Sequence, residues 1–94
     1  MRINVRSAMH ISKILSDRNV AFEFADPLTL GGLLQALTAA YGEAFYDAVC
    51  SKEGYNAEKV AILLNGTNAA AIGGVDISLN DGDEVTILPA IQGG

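Results

Sequence analysis

Few side chains in this chain could do chemistry on their own. His10 is the single histidine and Cys50 the single cysteine among 94 residues, and no His/Cys/Asp cluster forms around either. A lone Cys in a helical pattern reads as a small buried hydrophobe, and one cysteine builds neither a disulfide framework nor a multi-cysteine metal site. Asp81, Asp83 and Glu84 share only composition with a calcium loop, since the ligand series and its twelve-residue spacing are missing. Gly31-Gly32 opens a helical pattern but lacks the spacing and the lysine of a phosphate-binding loop. What remains is the last stretch, Pro89-Ala90-Ile91-Gln92-Gly93-Gly94, with a carboxylate at its end. Glycine makes up about 7% of average usage, so a terminal Gly-Gly arises by chance in roughly half a percent of chains. Neither glycine carries a Cβ, so both can pass a narrow channel. Val85, Ile87 and Pro89 alternate with Thr86 and Leu88, which predicts an apolar strand leading into this tail. Pro89 cannot donate to a ladder, so regular pairing should stop near it. From Pro89 to Gly94 the chain could then extend about 20 Å, far enough to carry the terminal carboxylate into a partner's pocket.

Composition limits the possible partners. Half the residues are hydrophobic and 18% are charged, which predicts one domain spanning residues 1–94 with a true core and no extensive disorder. Six residues are aromatic and none is Trp, so the core should be mostly Leu, Ile, Val and Ala. A net charge of −5 argues against sequence-independent nucleic-acid binding. All the bases (Arg2, Arg6, Lys13, Arg18, Lys52, Lys59) stand at or before position 59, while Asp76, Asp81, Asp83 and Glu84 lie beyond it. This asymmetry reads either as an acidic platform beside the tail, suited to a basic partner, or as a solvated acidic loop. No signal peptide and no long apolar run is visible, so a soluble cytoplasmic protein without a membrane span is expected.

The elements that must hold the tail can be read in order. Arg2 to Met9 alternates as a strand, with Ile3, Val5 and Ser7 on one face. His10 to Arg18 reads as one or two helical turns or an ordered loop. Asn19 to Ala25 is a second strand, with Val20, Phe22 and Phe24 on one face. Asp26-Pro27-Leu28 breaks the chain, and Thr29 is placed to cap a helix. Leu30, Leu33, Leu34, Leu37 and Tyr41 share one helical face. Gly42 should end this helix in the left-handed conformation. A short helix over 43–50 follows, with Phe45, Tyr46 and Val49 as its apolar side, and Tyr41 and Tyr46 both read as packing residues. Residues 51–58 look like a polar surface loop. Lys59 to Leu64 is a nearly continuous apolar strand, Asn65-Gly66 a hairpin turn, and Thr67 to Ile72 its partner. Val75 to Leu79 should return irregularly, with Ile77 and Leu79 plugging the core. Asn80-Asp81-Gly82-Asp83 forms a tight turn before a last strand, Glu84 to Leu88.

Two strands, a helix, then further strands is an α+β order. If the first and last strands lie side by side at the centre they must run parallel. That arrangement is the β-grasp, or ubiquitin-like, fold: a mixed sheet of about five strands with one main helix across a face.

The run Leu79-Asn80-Asp81-Gly82-Asp83-Glu84-Val85, the apolar strand ending at Pro89, and the terminal Gly93-Gly94 together resemble the end of the ubiquitin-like sulfur carriers of the MoaD/ThiS type. The likeness is greatest to the small subunit of molybdopterin synthase. Leu64-Asn65-Gly66 and Pro27/Thr29 match as well. The last strand and tail depart from the family's common pattern in carrying Ile87, Leu88, Pro89 and Ala90 where aromatics and a second proline are frequent. The resemblance implies that a ubiquitin-activating-type adenylyltransferase uses ATP to adenylate Gly94, and that sulfur replaces the adenylate to give a thiocarboxylate. It also implies that Gly93-Gly94 enters the large subunit of molybdopterin synthase, where sulfur passes to a pterin precursor. The protein would then be a carried reagent, not catalytic alone, with no permanently bound cofactor and no metal. Ile87, Leu88, Pro89, Ala90, Ile91 and Gln92, with the exposed sheet face, would dock the partner. The same activated glycine could instead join a substrate lysine as a protein modifier, or serve thiamine or tRNA thiolation. A pure interaction module is a further reading. Homodimers are possible when the protein is alone.

Overall fold

The computed structural model describes residues 1–52 and 54–90. Strand β1 (Arg2–Ser7) and strand β2 (Asn19–Glu23) pair antiparallel, with helix α1 (Met9–Leu15) as the connection between them. Ile11 and Leu15 of α1 are buried, which decides the ambiguous 10–18 segment in favour of a helix. Helix α2 (Leu30–Tyr41) begins where expected. Thr29 Oγ1 accepts the Gly32 N–H at 3.1 Å, satisfying an otherwise orphan donor of the first turn. Gly31 permits a close approach there, since a Cβ on it would stand 3.2 Å from the Val75 carbonyl oxygen. Gly42 has φ 76 but ψ −156, so it ends α2 outside the left-handed helical region and at once precedes helix α3 (Glu43–Val49).

Three sequence expectations need correction after α3. Residues 51–58 are not a plain loop: β3 (Cys50–Ser51) and β4 (Gly54–Tyr55) pair as a separate two-stranded sheet. Strand β5 (Val60–Leu64) and the Asn65-Gly66 turn stand as expected, but the partner strand β6 covers only Thr67–Asn68. There Asn68 Oδ1 accepts the Ala70 N–H and starts a 3₁₀ turn over Ala69–Ala71 that buries Ala69. The short alanine run thus follows a side-chain cap in preference to a ladder. A second 3₁₀ turn, Gly74–Asp76, leads to the return segment, where Leu79 is buried and Ile77 only partly so.

Strand β7 (Glu84–Pro89) closes the main sheet in the order β2-β1-β7-β5-β6. It runs parallel to β1 and antiparallel to β5, so the first and last strands are central neighbours. Register puts Ile3, Val5, Ser7, Val60, Ile62, Val85 and Ile87 on one face, all buried beneath the helices. Leu30, Leu33, Leu34 and Leu37 of α2, Phe45 and Val49 of α3, and Ile11 and Leu15 of α1 supply the opposing core. Ser7, the one buried polar residue among them, shares its hydroxyl with Ser12 Oγ at 3.1 Å, so the group is not left unpaired. The sheet's other face carries Arg2, Asn4, Arg6, Ala61, Leu63, Glu84, Thr86 and Leu88 and has no covering layer among the described residues. The fold is α+β and ubiquitin-like, with α2 as the main helix across the sheet and the shorter α1 and α3 beside it.

Candidate functional site: the root of the C-terminal strand

Strand β7 leaves the body of the domain next to β5. Pro89 lies opposite Val60, and the Ala90 N–H donates to the Lys59 carbonyl at 2.8 Å. Strand pairing therefore stops near Pro89, as expected, one bond past it. The proline's missing donor falls where the ladder tolerates it. The free tail expected from residue 89 accordingly starts no earlier than Ile91. Ile91, Gln92, Gly93 and Gly94 lie outside the described residues.

Lys59 fixes this root twice over. Its carbonyl holds Ala90, and its Nζ donates to the Asp47 carbonyl of α3 at 2.8 Å. His10, Ala44, Asp47, Ala48, Glu58, Lys59 and Ala90 line a shallow cavity of about 530 Å³ here. Asp47, Glu58, Lys59 and His10 thus share one cavity with Ala90, a set the linear sequence scatters over fifty positions.

The predicted docking residues divide by face. Ile87 is 0% exposed and belongs to the core, so its side chain is not available to a partner; period-two alternation on a half-covered strand sends it inward. Leu88 points to the open face and is half-buried beside Leu63 and Thr86. Pro89 and Ala90 are also half-exposed. With Arg6, Met9 and Arg18, the Leu63–Thr86–Leu88 patch lines a groove of about 630 Å³. Met9 stands at φ 56 and is 73% exposed, at the same end of the sheet as Ala90. The sequence assigned it to the end of β1, and nothing in its local pattern marks it as exposed.

The acidic turn is not beside Ala90. Asp81, Asp83 and Glu84 sit at the start of β7, and the six residues of that strand lie between Asp83 and Ala90, a separation of about 23 Å over the seven steps at ~3.3 Å per residue. Their groups are spent on the fold. Asp83 Oδ2 accepts the Asn80 N–H at 2.8 Å and Asp83 Oδ1 accepts Asn65 Nδ2–H at 3.0 Å. Asn65 Oδ1 in turn accepts the Glu84 N–H at 2.9 Å, and Asp81 Oδ1 accepts the Arg2 N–H at 2.6 Å. This lock joins the two turns at one end of the sheet. Its signal in the sequence was an Asn-Gly turn and an Asp-Gly-Asp turn that the antiparallel β5–β7 pairing must bring together. Glu84 faces Arg6 at 3.7 Å on the open face.

The other chemistry-bearing residues are structural. Cys50 is a free, buried thiol, 3.6 Å from Thr38 Oγ1. Burial pushes its pKa up, and the Thr38 contact offsets this in part. Burial also raises the Tyr55 phenol. Tyr41 packs edge-on to Phe22, as expected, whereas Tyr46 is 39% exposed and does not serve the core. No group of three or more His, Cys, Asp or Glu placed to hold a metal occurs among the described residues. No helix among them is long and apolar enough to cross a membrane.

A mixed sheet with parallel central strands, a helix across one face and the last strand leading out from its middle defines a ubiquitin-like β-grasp protein. The ThiS family model matches residues 10–94, and the chain belongs to this family of ubiquitin-like sulfur carriers. It is 26% identical over 97 aligned positions to Small archaeal modifier protein 3 of Haloferax volcanii, covering the whole of both chains. Its fold matches the solution structure of the Haloferax volcanii HVO 2177 protein with a TM-score of 0.87 at 23% identity, over 100% of this chain and 87% of that one. It also matches a chain of the Amycolatopsis orientalis BexX/CysO complex with a TM-score of 0.78 at 19% identity, over 98% and 99% of the two chains.

Proposed function

We propose that this protein carries sulfur on its terminal glycine for molybdopterin synthesis. An activating enzyme transfers AMP from ATP to the Gly94 carboxylate, releasing pyrophosphate. The mixed anhydride makes AMP the leaving group that a bare carboxylate lacks. A sulfide equivalent then attacks the carbonyl carbon, the acyl–oxygen bond to AMP breaks, and a Gly94 thiocarboxylate results. Gly93-Gly94 enters the large subunit of molybdopterin synthase, and sulfur passes to the pterin precursor. The chain contributes no acid or base to these steps. It supplies the acyl carrier, the small glycines that fit a narrow channel, and a docking surface of Leu88, Pro89, Ala90 and the open sheet face, with Ile91 and Gln92 beyond.

The observation that carries this reading is that the sulfur-carrier family match runs to Gly94 itself. The open face beside the root of the tail gives a partner something to hold. A second reading, conjugation of Gly94 to substrate lysines, is favoured by the end-to-end alignment with Small archaeal modifier protein 3. Both fates share the adenylation step.

Intact-mass measurement after incubation with ATP, an activating enzyme and a sulfur donor separates them. Exchange of one oxygen for sulfur, absent when Gly94 is deleted, supports the carrier, and stimulation of pterin sulfuration by a large subunit supports the molybdopterin assignment. Lysine conjugates without the exchange would replace the carrier reading by the modifier reading.

A further inference from the structure

Strand β2 ends the five-stranded sheet, and no strand lies on its outer edge among the described residues. The hydrogen bonds Ser7 N–H to Arg18 O and Phe24 N–H to Met1 O, with the register between them, fix which groups face which way. The even-numbered residues of β2 bond to β1. Asn19, Ala21 and Glu23 therefore aim their backbone groups off the sheet, and all three are exposed. The Asn19 N–H is taken by Asp17 Oδ1 at 3.2 Å. The N–H and C=O groups of Ala21 and Glu23 and the Asn19 carbonyl face outward with no strand beside them among the described residues. Lys, Pro and bulges are the common protections of an edge; residues 19–23, Asn-Val-Ala-Phe-Glu, have none of these and carry a single charge, Glu23.

We infer that this edge pairs with the same edge of a second copy of the chain, forming a two-fold antiparallel β2–β2 contact centred on Ala21. The sequence is self-complementary in that register, as an isologous contact requires. Ala21 meets Ala21 with both outward groups of each. Val20 meets Phe22 of the other copy, twice by symmetry, on the helix-facing side. Both side chains are only half-buried in one copy, and Phe22 lies beside Phe24 and Tyr41, which extend the apolar lane. Asn19 meets Glu23 on the open side, a polar pair without like charges. A register slipped by one residue would set the apolar side chains of one copy against the solvent face of the other.

The contact is small. Five residues per strand fall well short of the ~1,200 Å² that stable interfaces bury, and each copy carries a net charge of −5, so the dimer is weak and gains from salt. It leaves β7 free, because β1 stands between the paired edge and the tail-bearing strand.

Sedimentation velocity of the full chain from about 10 μM to about 1 mM tests the contact. The expected result is a reversible monomer–dimer equilibrium that strengthens as salt rises. Ala21→Pro removes an outward donor without touching the ladder to β1 and should abolish the dimer, with far-UV circular dichroism confirming the fold. Asn19→Lys, set opposite Glu23 twice by symmetry, should tighten it several-fold, and Asn19→Glu should weaken it by a similar factor. A wild-type chain still monomeric at 1 mM would overturn the inference. So would a dimer that Ala21→Pro and the two Asn19 variants all leave unchanged.

Discussion

Replacing Asp83 by alanine separates the two meanings its charge could have. The carboxylate accepts two hydrogen bonds, from Asn80 N–H at 2.8 Å and Asn65 Nδ2–H at 3.0 Å, and so holds the 80–83 turn to the 65–66 turn. Bonds to a charged group contribute about 1.5–3 kcal/mol each when well shielded, and both here are open to solvent, so about 2 kcal/mol in all is expected. For a domain of this size that corresponds to a fall in Tm of about 10 °C. The same change should leave docking at the tail untouched. Asp83 lies ~23 Å along the strand from Ala90, nearly three Debye lengths at physiological salt (~8 Å). Thermal unfolding by circular dichroism reads the first effect. The KM for the protein in an ATP–pyrophosphate exchange assay with an activating enzyme, measured at 25 °C and two ionic strengths, reads the second. An unchanged Tm with a KM raised tenfold would refute the structural assignment and restore the acidic turn as a docking platform.

Adjacent residues of β7 should behave oppositely. Ile87→Ala, fully buried, should cost about 2–5 kcal/mol of stability by denaturant titration, while Leu88→Ala should cost far less and raise the KM for the partner enzyme instead. Gly54→Ala should destabilise by about 1–3 kcal/mol, because its Cβ would stand 2.6 Å from Val75 Cγ1 at a backbone φ of +124. Burial raises the Cys50 pKa above the 9.0 of an exposed thiol, so the folded state keeps a proton that the unfolded thiol gives up sooner. Its contribution is therefore fully present at neutral pH and is lost as pH rises above about 9. Unfolding free energies from pH 7 to 10 should show this decline, smaller in Cys50→Ala, and iodoacetamide at pH 8 should modify Cys50 only slowly.

The fold was legible where one physical signal dominated. The leucines of α2 repeat at helical spacing, Thr29 precedes them, and β1, β5 and β7 alternate or run apolar in a way that allows few alternatives. The parallel sense of β1 and β7 followed from the order of elements once the two were taken as neighbours. Misreadings came where short-range signals competed. The alanines after Asn68 could extend a strand, but the Asn68 side chain offered the backbone a 3₁₀ turn. Residues 51–58 were polar enough to pass for a loop, yet Ser51, Gly54 and Tyr55 join Cys50 in a two-residue ladder. At the site, Gly93-Gly94 and the strand leading to it were readable, whereas the surroundings of the tail were not. Placing Asp47, Glu58 and His10 near Ala90 requires knowing how α1 and α3 pack against the end of β5, and no local pattern encodes that.

The geometry of the root limits where a partner can act. Since Ala90 is bonded to Lys59, four residues remain to carry the carboxylate, and fully extended they span at most about 14 Å instead of the 20 Å available from Pro89. A partner that reaches Gly94 in a recessed site must therefore bring its surface close to Ala90. It would meet Leu88 on the open face, and Pro89 with the Asp47–Glu58–Lys59 rim on the helix side. Breaking the Ala90–Lys59 bond would lengthen the reach by only one residue while exposing a strand end. The rigid root thus works as a depth gauge. One glycine inserted between Gln92 and Gly93 should leave stability unchanged, yet slow adenylation by overshooting the ATP site. A rate equal to wild type would show that the tail's length is not what positions its carboxylate.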